Sequence, residues 1–172
     1  RRDTDWLARL KTLRSADDAA VRAQADLAMD PMSPFQWLRE VGEALPATAI
    51  TVLDGNVAMS AAQAMLPVLA PVTRMTAATN GCMGTGIPFA IGAKLARPEL
   101  QVVAVCGDFG FGLSGIELET AIRNKVPIVA IVANNGGPSG TTWQRQFFGP
   151  DCDEPVAHYG DGVRHDLIMN AL

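Results

Sequence analysis

The sequence predicts an α/β fold: a doubly wound, mostly parallel sheet with helices on both faces. Three observations predict it. Residues 102–106 (VVAVC) and 128–132 (IVAIV) are short runs of β-branched and small apolar residues, as strands buried on both faces require. Between them lies a stretch with helical signals, closed by Pro127. Each run ends in polar turn chemistry, Gly107-Asp108-Phe109-Gly110 after the first and Asn134-Asn135-Gly136-Gly137 after the second. A strand, a crossover helix and a second strand of this length make a right-handed parallel unit. Both loops then lie at the carboxyl edge of the sheet, where open α/β sheets bind ligands.

The elements follow in order. In residues 1–32, Trp6, Leu7, Leu10 and Leu13 line one face of a helix, and a second, polar helix runs from Asp17 to about Met29. This segment carries no chemistry. Ser33-Pro34 starts a helix, with a capping hydroxyl and then proline at the first position; Phe35, Leu38, Val41 and Leu45 form its apolar face. Residues 49–53 make the first strand, which ends in the turn residues Asp54-Gly55-Asn56. A glycine-rich stretch from Thr79 to Gly86 leads into an apolar helix over 87–95, stopped before Pro98. After the strand at 102–106, Ser114 and Glu117 form a capping-box pattern, and Ile116, Leu118 and Ile122 supply the apolar positions of the helix they start. Beyond the strand at 128–132, Trp143, Phe147 and Phe148 supply an apolar face; Gln144 and Arg145 beside them fit either a substrate contact or an exposed helix. His158 and His165 have no partner pattern and read as structural.

Composition narrows the function. A chain of 172 residues with 48% hydrophobic content buries one good core and predicts one domain. No apolar run reaches the length of a membrane span, and the N-terminus does not resemble a signal peptide. A formal net charge of −4 argues against broad nucleic-acid binding and means that a phosphorylated ligand needs a cation or helix N-termini nearby. Cys82, Cys106 and Cys152 have no metal-type spacing and form no even set, and Cys106 in its strand serves as an apolar filler. The expected setting is a reducing cytoplasm.

The two loops carry the chemistry. Asp108 offers a hard anionic oxygen, Asn135 an amide oxygen, and Gly136 and Gly137 leave main-chain groups accessible. Such a sparse oxygen set suits Mg²⁺, which keeps waters and takes further ligands from substrate phosphates. The amides of Gly107, Phe109 and Gly110 are placed to face phosphate oxygens. Either loop alone reads as a turn; together, on adjacent strand ends, they read as a metal–phosphate site. The glycines of residues 79–86 do not have dinucleotide spacing, no strand directly precedes them, and the chain has no P-loop lysine.

These residues resemble the signature of thiamine diphosphate enzymes, in which a Gly-Asp-Gly precedes an Asn-Asn pair by a spacer in the mid-twenties. Here Asp108 and Asn135 are 27 positions apart, and Phe109 replaces the third motif glycine. The resemblance covers residues 33–172 as a cofactor-binding domain of the thiamine diphosphate-binding fold. It makes residues 1–32 a linker or the end of a preceding domain. The absence of a start methionine and the stop inside a helix imply a piece of a longer polypeptide. The resemblance also implies that Asp108, the Asn135 side chain and the Gly137 carbonyl ligate Mg²⁺. Gly81-Cys82-Met83-Gly84 resembles the loop on the pyrimidine side of the cofactor. There the Gly81 carbonyl orients the cofactor's amino group, the Met83 amide meets a ring nitrogen, and the Met83 side chain wedges between the rings. It puts the 54–56 turn beside the active site, where Asn56 reads first as a turn residue and alternatively as a substrate contact, and residues 141–148 over the active site. The branch most resembled contains acetolactate synthase, oxalyl-CoA decarboxylase and 2-hydroxyacyl-CoA lyase, which make or break a carbon–carbon bond next to a carbonyl in a small-molecule substrate. In that branch a glutamate on a separate pyrimidine-binding domain, from the same or a partner chain, completes activation, and the enzymes are homodimers or homotetramers. A non-catalytic module of the same fold is the alternative expectation.

Overall fold

The structure, a computed structural model, describes residues 4–66, 68, 70–77, 80–138, 149, 159 and 162–172. These fall into two compact units, one drawn from Arg1–Leu45 and Ala61–Pro67, the other from Pro46–Ser60 and Val68–Leu172.

The first unit is helical. Helix α1 spans Thr4–Ala25 as one continuous element, so the expected break near Asp17 is absent. The alanines and long charged residues of the middle stretch keep the helix running. Trp6, Leu7, Leu10 and Leu13 are exposed. Helix α2, Pro34–Ala44, starts as its sequence predicts: Ser33 is the N-cap, its hydroxyl accepts from the Gln36 amide at 3.2 Å, and Pro34 holds the first turn. Of its apolar residues Leu38 is fully buried, while Phe35, Val41 and Leu45 are half-buried.

The second unit holds the sheet. Four strands, β1 (Ile50–Asp54), β2 (Arg74–Thr76), β3 (Val102–Gly107) and β4 (Val129–Ala133), lie in the order β2-β1-β3-β4, and every pair is parallel. Helix α3 (Asn56–Met65), whose residues from Ala61 on belong to the first unit, follows β1, and α4 (Gly86–Ala96) follows β2; α5 (Asp108–Ser114), a 3₁₀ turn at Gly115–Glu117 and α6 (Leu118–Arg123) link β3 to β4. Helix α7 (His165–Met169) lies near the C-terminus. In β1 and β3, Ile50, Val52, Val102, Ala104 and Cys106 pack with Ile87, Ala90, Ile91 and Phe111 in one core cluster. Thr51, Leu53, Val103 and Val105, which point the other way, are equally buried. The two central strands are therefore covered on both faces, as the doubly wound prediction requires. Each fully buried valine or isoleucine contributes about 1.5–3 kcal/mol relative to exposure.

The chain moves outward from β1 to β2 on one side and from β3 to β4 on the other. The reversal lies between β1 and β3, and it opens a crevice beyond their carboxyl ends.

Several sequence expectations shift. β4 is the outermost described strand beside β3; it is only partly buried, and Val129 is 44% exposed. Its β-branched run reflects pairing rather than full burial. β2 escapes sequence detection, since Arg74-Met75-Thr76 is too short and too polar to show a period. Asp54 is the last residue of β1 rather than part of the turn. Ser114 precedes the 3₁₀ turn but makes no side-chain cap: the α-helix begins at Asp108, and Ser114 lies buried at its end with Oγ unpartnered among the described residues. Glu117 accepts from Thr120 Oγ1 instead of closing a capping box. The glycine cap at Gly107, seven residues earlier, lets the helix start directly off the strand. Ile116 and Ile122 are exposed, and only Leu118 packs against the core.

The ends of β1 and β3 approach closely at two glycines. Gly55 has φ +88°, and a Cβ there would lie 2.9 Å from the Gly107 nitrogen. Gly55→Ala is expected to lower stability by roughly 1–3 kcal/mol, from left-handed strain and the backbone clash together. Urea unfolding measures it as a lower midpoint at unchanged slope; an unchanged midpoint would show that these strand ends do not meet as described.

Candidate active site

The site assembles at the crevice from three short stretches, each placed by a strand or helix end. Asp108 is the first residue of α5, directly after β3, and is 1% exposed. Its Oδ1 accepts from the Phe109 amide at 2.7 Å, and its Oδ2 accepts from the Gly137 amide at 2.7 Å. The second bond joins the loop after β3 to the loop after β4, so the Gly-Asp and Asn-Asn-Gly-Gly stretches meet at one sheet edge. Asn135 is exposed at that edge. Asn134 serves the loop itself: its Nδ2 donates to the Val163 carbonyl at 3.0 Å and its Oδ1 accepts from the Gly136 amide at 3.4 Å.

Two expectations about the first turn of α5 are refined. The Phe109 amide is occupied by the Asp108 carboxylate. Phe109 is helical, with no positive φ, so its position does not demand glycine. Its ring stacks on Tyr159 with centroids 6.3 Å apart and planes 16° from parallel.

The third stretch is Gly81-Cys82-Met83-Gly84, which precedes α4. Gly81 and Gly84 both have positive φ, and Met83 between them is 48% exposed, so it is not a core residue. A Cβ on Gly84 would lie 3.0 Å from Leu113 Cβ on α5, so this loop borders the Asp108 helix directly. Cys82 is a free, exposed thiol.

Two residues that sequence reasoning passed over belong here. Asp54 is 3% exposed, and its Oδ2 accepts from the Gly84 amide at 3.0 Å and the Gly86 amide at 2.9 Å. Followed by Gly-Asn, it carries the outward signal of a turn. Tyr159 donates its amide to the Gly136 carbonyl at 2.8 Å, and its ring also meets His165 edge-on. Burial, and secondarily the Asp108 charge, raise the Tyr159 pKa. Its one sequence signal is that it is the sole tyrosine. His165 packs edge-on against Phe111, consistent with a structural role. Residues 141–148, with Trp143, Gln144, Arg145, Phe147 and Phe148, lie outside the described residues, as do Cys152 and His158.

The donor set matches magnesium held against a diphosphate better than it matches a protein-caged metal. Among the described residues no group of three or more His, Cys, Asp or Glu converges. One buried carboxylate, one exposed amide oxygen and glycine main chain leave most of a hard cation's coordination to water and ligand oxygens. No helix of the described residues is long and apolar enough to cross a membrane.

Comparison with known proteins is consistent with this geometry. A family model described as the thiamine pyrophosphate enzyme C-terminal TPP binding domain matches residues 54–171. A 2-hydroxyacyl-CoA lyase 2 from Mus musculus is 36% identical over 138 residues, which cover 78% of this chain and 21% of that protein. An acetolactate synthase large subunit from Mycobacterium tuberculosis is 35% identical over 175 aligned residues, covering 97% of this chain and 30% of the relative. The solved thiamine diphosphate-dependent 4-hydroxybenzoylformate decarboxylase of Rhodococcus jostii RHA1 superposes with a TM-score of 0.71 over 81% of this chain and 26% of its own, at 24% identity, a likeness of fold. The chain thus spans between about a fifth and a third of the length of these relatives.

The thiols around the site differ sharply. Cys106 is buried opposite Asp54 in the β1–β3 register, and its pKa is pushed up to about 12, by burial first and the Asp54 charge second. A thiolate-selective reagent at neutral pH is expected to label Cys82 in the folded chain and Cys106 only after denaturation, read by peptide mass mapping. Because the unfolded thiol ionises at roughly 8.5, raising the pH from there removes stability, since only the unfolded state then releases its proton. Labelling of Cys106 as fast as Cys82 would contradict the packing of β3.

Proposed function

Because the chain belongs to the thiamine pyrophosphate enzymes and carries their C-terminal cofactor-binding domain, we propose that it holds thiamine diphosphate with Mg²⁺ in an enzyme that cleaves or forms a carbon–carbon bond next to a carbonyl. The observation that carries the proposal is the bond from the Gly137 amide to the buried Asp108 carboxylate, which unites the two motif loops at the crevice. The substrate is a 2-oxo acid or a 2-hydroxyacyl or oxalyl-CoA thioester, in line with relatives named as lyase and synthase.

The residues have distinct tasks in this reading. Asp108, the Asn135 amide oxygen and the Gly137 carbonyl hold the magnesium ion. The Gly107 and Gly110 amides face diphosphate oxygens at the start of α5. The Gly81 carbonyl accepts from the aminopyrimidine, the Cys82 and Met83 main chain lines that ring, and the Met83 side chain fills the bend. The half-exposed Met83 between two glycines suits a side chain that packs on a ligand rather than on the core. When bound, the cofactor supplies the electron sink for breaking a bond beside a carbonyl. A pyrimidine-binding domain, from the same or a partner chain, completes the site with its glutamate, and the full-length parent is a homodimer or homotetramer. The free thiols Cys82 and Cys106 suit a cytoplasmic setting.

Two substitutions test the assignment in the full-length parent. Asp108→Ala removes the charged ligand and leaves diphosphate repulsion uncompensated. Isothermal titration is expected to show that magnesium-dependent cofactor binding is lost; unchanged affinity would remove Asp108 from the metal site. Met83→Ala is expected to leave cofactor affinity nearly intact and to lower turnover at saturating cofactor. A displacement of about 1 Å from near-attack geometry costs on the order of 10²-fold. Wild-type turnover in Met83→Ala would show that the loop does not prop the cofactor. A wild-type parent that binds the cofactor and shows no turnover would favour the non-catalytic module.

A further inference from the structure

Asp54 is a buried carboxylate whose hydrogen bonds come from the backbone amides of Gly84 and Gly86. Three features make it more than a helix cap. First, it bonds to amides two residues apart, Gly84 and Gly86, and so brackets the junction of the Met83 loop with α4. The nominal cap, Thr85, makes no side-chain bond to that helix, so the capping oxygen comes from 32 positions away in sequence. Second, the Gly84 amide belongs to the peptide unit that follows Met83. Fixing that amide fixes the plane on which the Met83 main chain leaves the loop. Third, the other side of the carboxylate lies against α5. A Cβ on Gly110 would stand 3.0 Å from Asp54 Oδ2 and 3.1 Å from its Cγ, and one on Gly86 would stand 2.9 Å from Asp54 Cβ. The carboxylate is therefore clasped between two bare backbones that lead to the two halves of the site.

We infer that Asp54 is a positioning residue: by holding the Gly84 and Gly86 amides while resting on Gly110, it sets the distance between the Met83 loop and the Asp108 helix. This rests on the cofactor reading above, because that distance matters only to a ligand spanning both. Asp54 acts through the loop, since its hydrogen bonds are to main-chain amides. Its place at the end of β1, in register with Cys106 of β3, puts it on one of the two central strands of the sheet. The loop in front of it contains two glycines with positive φ and so has little conformational preference of its own.

The test uses the full-length parent. Hydrogen–deuterium exchange without ligand is expected to show the Gly84 and Gly86 amides exchanging at least about tenfold faster in Asp54→Ala, since bonds to a charged acceptor are lost. The β3 amides should keep their wild-type rates. Turnover at saturating thiamine diphosphate is expected to fall by about tenfold or more, with KM for substrate changed less. Asp54→Asn, which keeps an oxygen for both amides, is expected to restore slow exchange and most of the turnover. Unchanged exchange at Gly84 and Gly86 in Asp54→Ala overturns the proposal, and so does fast exchange with wild-type turnover. If Asp54→Ala does not fold, Asp54→Asn decides: slow exchange with near-wild-type turnover supports the acceptor role, and fast exchange in the folded variant overturns it. A wild-type parent that binds no thiamine diphosphate overturns the cofactor reading instead, and the ligand-free exchange comparison distinguishes that failure from this one.

Discussion

The hydrogen bond from the Gly137 amide to Asp108 Oδ2 crosses from the loop after β4 to the first turn of α5. At 1% exposure the Asp108 carboxylate has left water, and a buried charge of that kind is tolerable only with donors directed at it. The Gly137 and Phe109 amides are those donors. Much of the site follows from this one requirement. Gly137 must come close, so the loop after β4 folds back across the sheet edge. The chain at Gly136 is held in turn by Tyr159, whose ring lies on Phe109. The closed circuit of Asp108, Gly137, Gly136, Tyr159 and Phe109 stiffens a region otherwise made of glycines.

The sheet beneath gives that circuit its footing. Because all the strands are parallel, every polar loop at their carboxyl ends falls on the same side. Strand order reverses between β1 and β3, the place at which an open parallel sheet forms a ligand crevice beyond its carboxyl ends. Asp54 and Asp108 are the residues that end β1 and follow β3. One carboxylate is turned toward α4 and the other toward the loop after β4, so the two acids divide the crevice between them.

What was legible in the sequence depended on how local the cause was. The strands at 102–106 and 128–132 and the helix start at Ser33-Pro34 follow from short-range chemistry, and the structure places each within a residue or two. The meeting of the Asp108 and Asn135 loops was legible too, since a parallel crossover leaves little choice about where strand ends go. Signals that admit two local readings misled. Ser114 and Glu117 match a capping box, yet the glycine at 107 had already launched the helix. Asp54-Gly55-Asn56 has the composition of a turn, yet the first of the three is held inside the sheet by amides 30 and 32 residues on. No periodicity carries information of that range, and the same holds for Tyr159, whose partners come from distant stretches.

The close packing around Gly86 has a consequence for how this sequence tolerates change. A side-chain carbon there would stand 2.5 Å from Cys106 Sγ and 2.9 Å from Asp54 Cβ, while one at Gly110 would meet the Asp54 carboxylate from its other side. Positions 54, 86, 106 and 110 therefore share a single small volume, though more than fifty residues separate the first from the last. Their substitutions are not independent: a larger residue at one requires a smaller one at another, and effects measured singly will not sum. Drift in this corner of the protein is thus epistatic, with compensating pairs the permitted route between sequences.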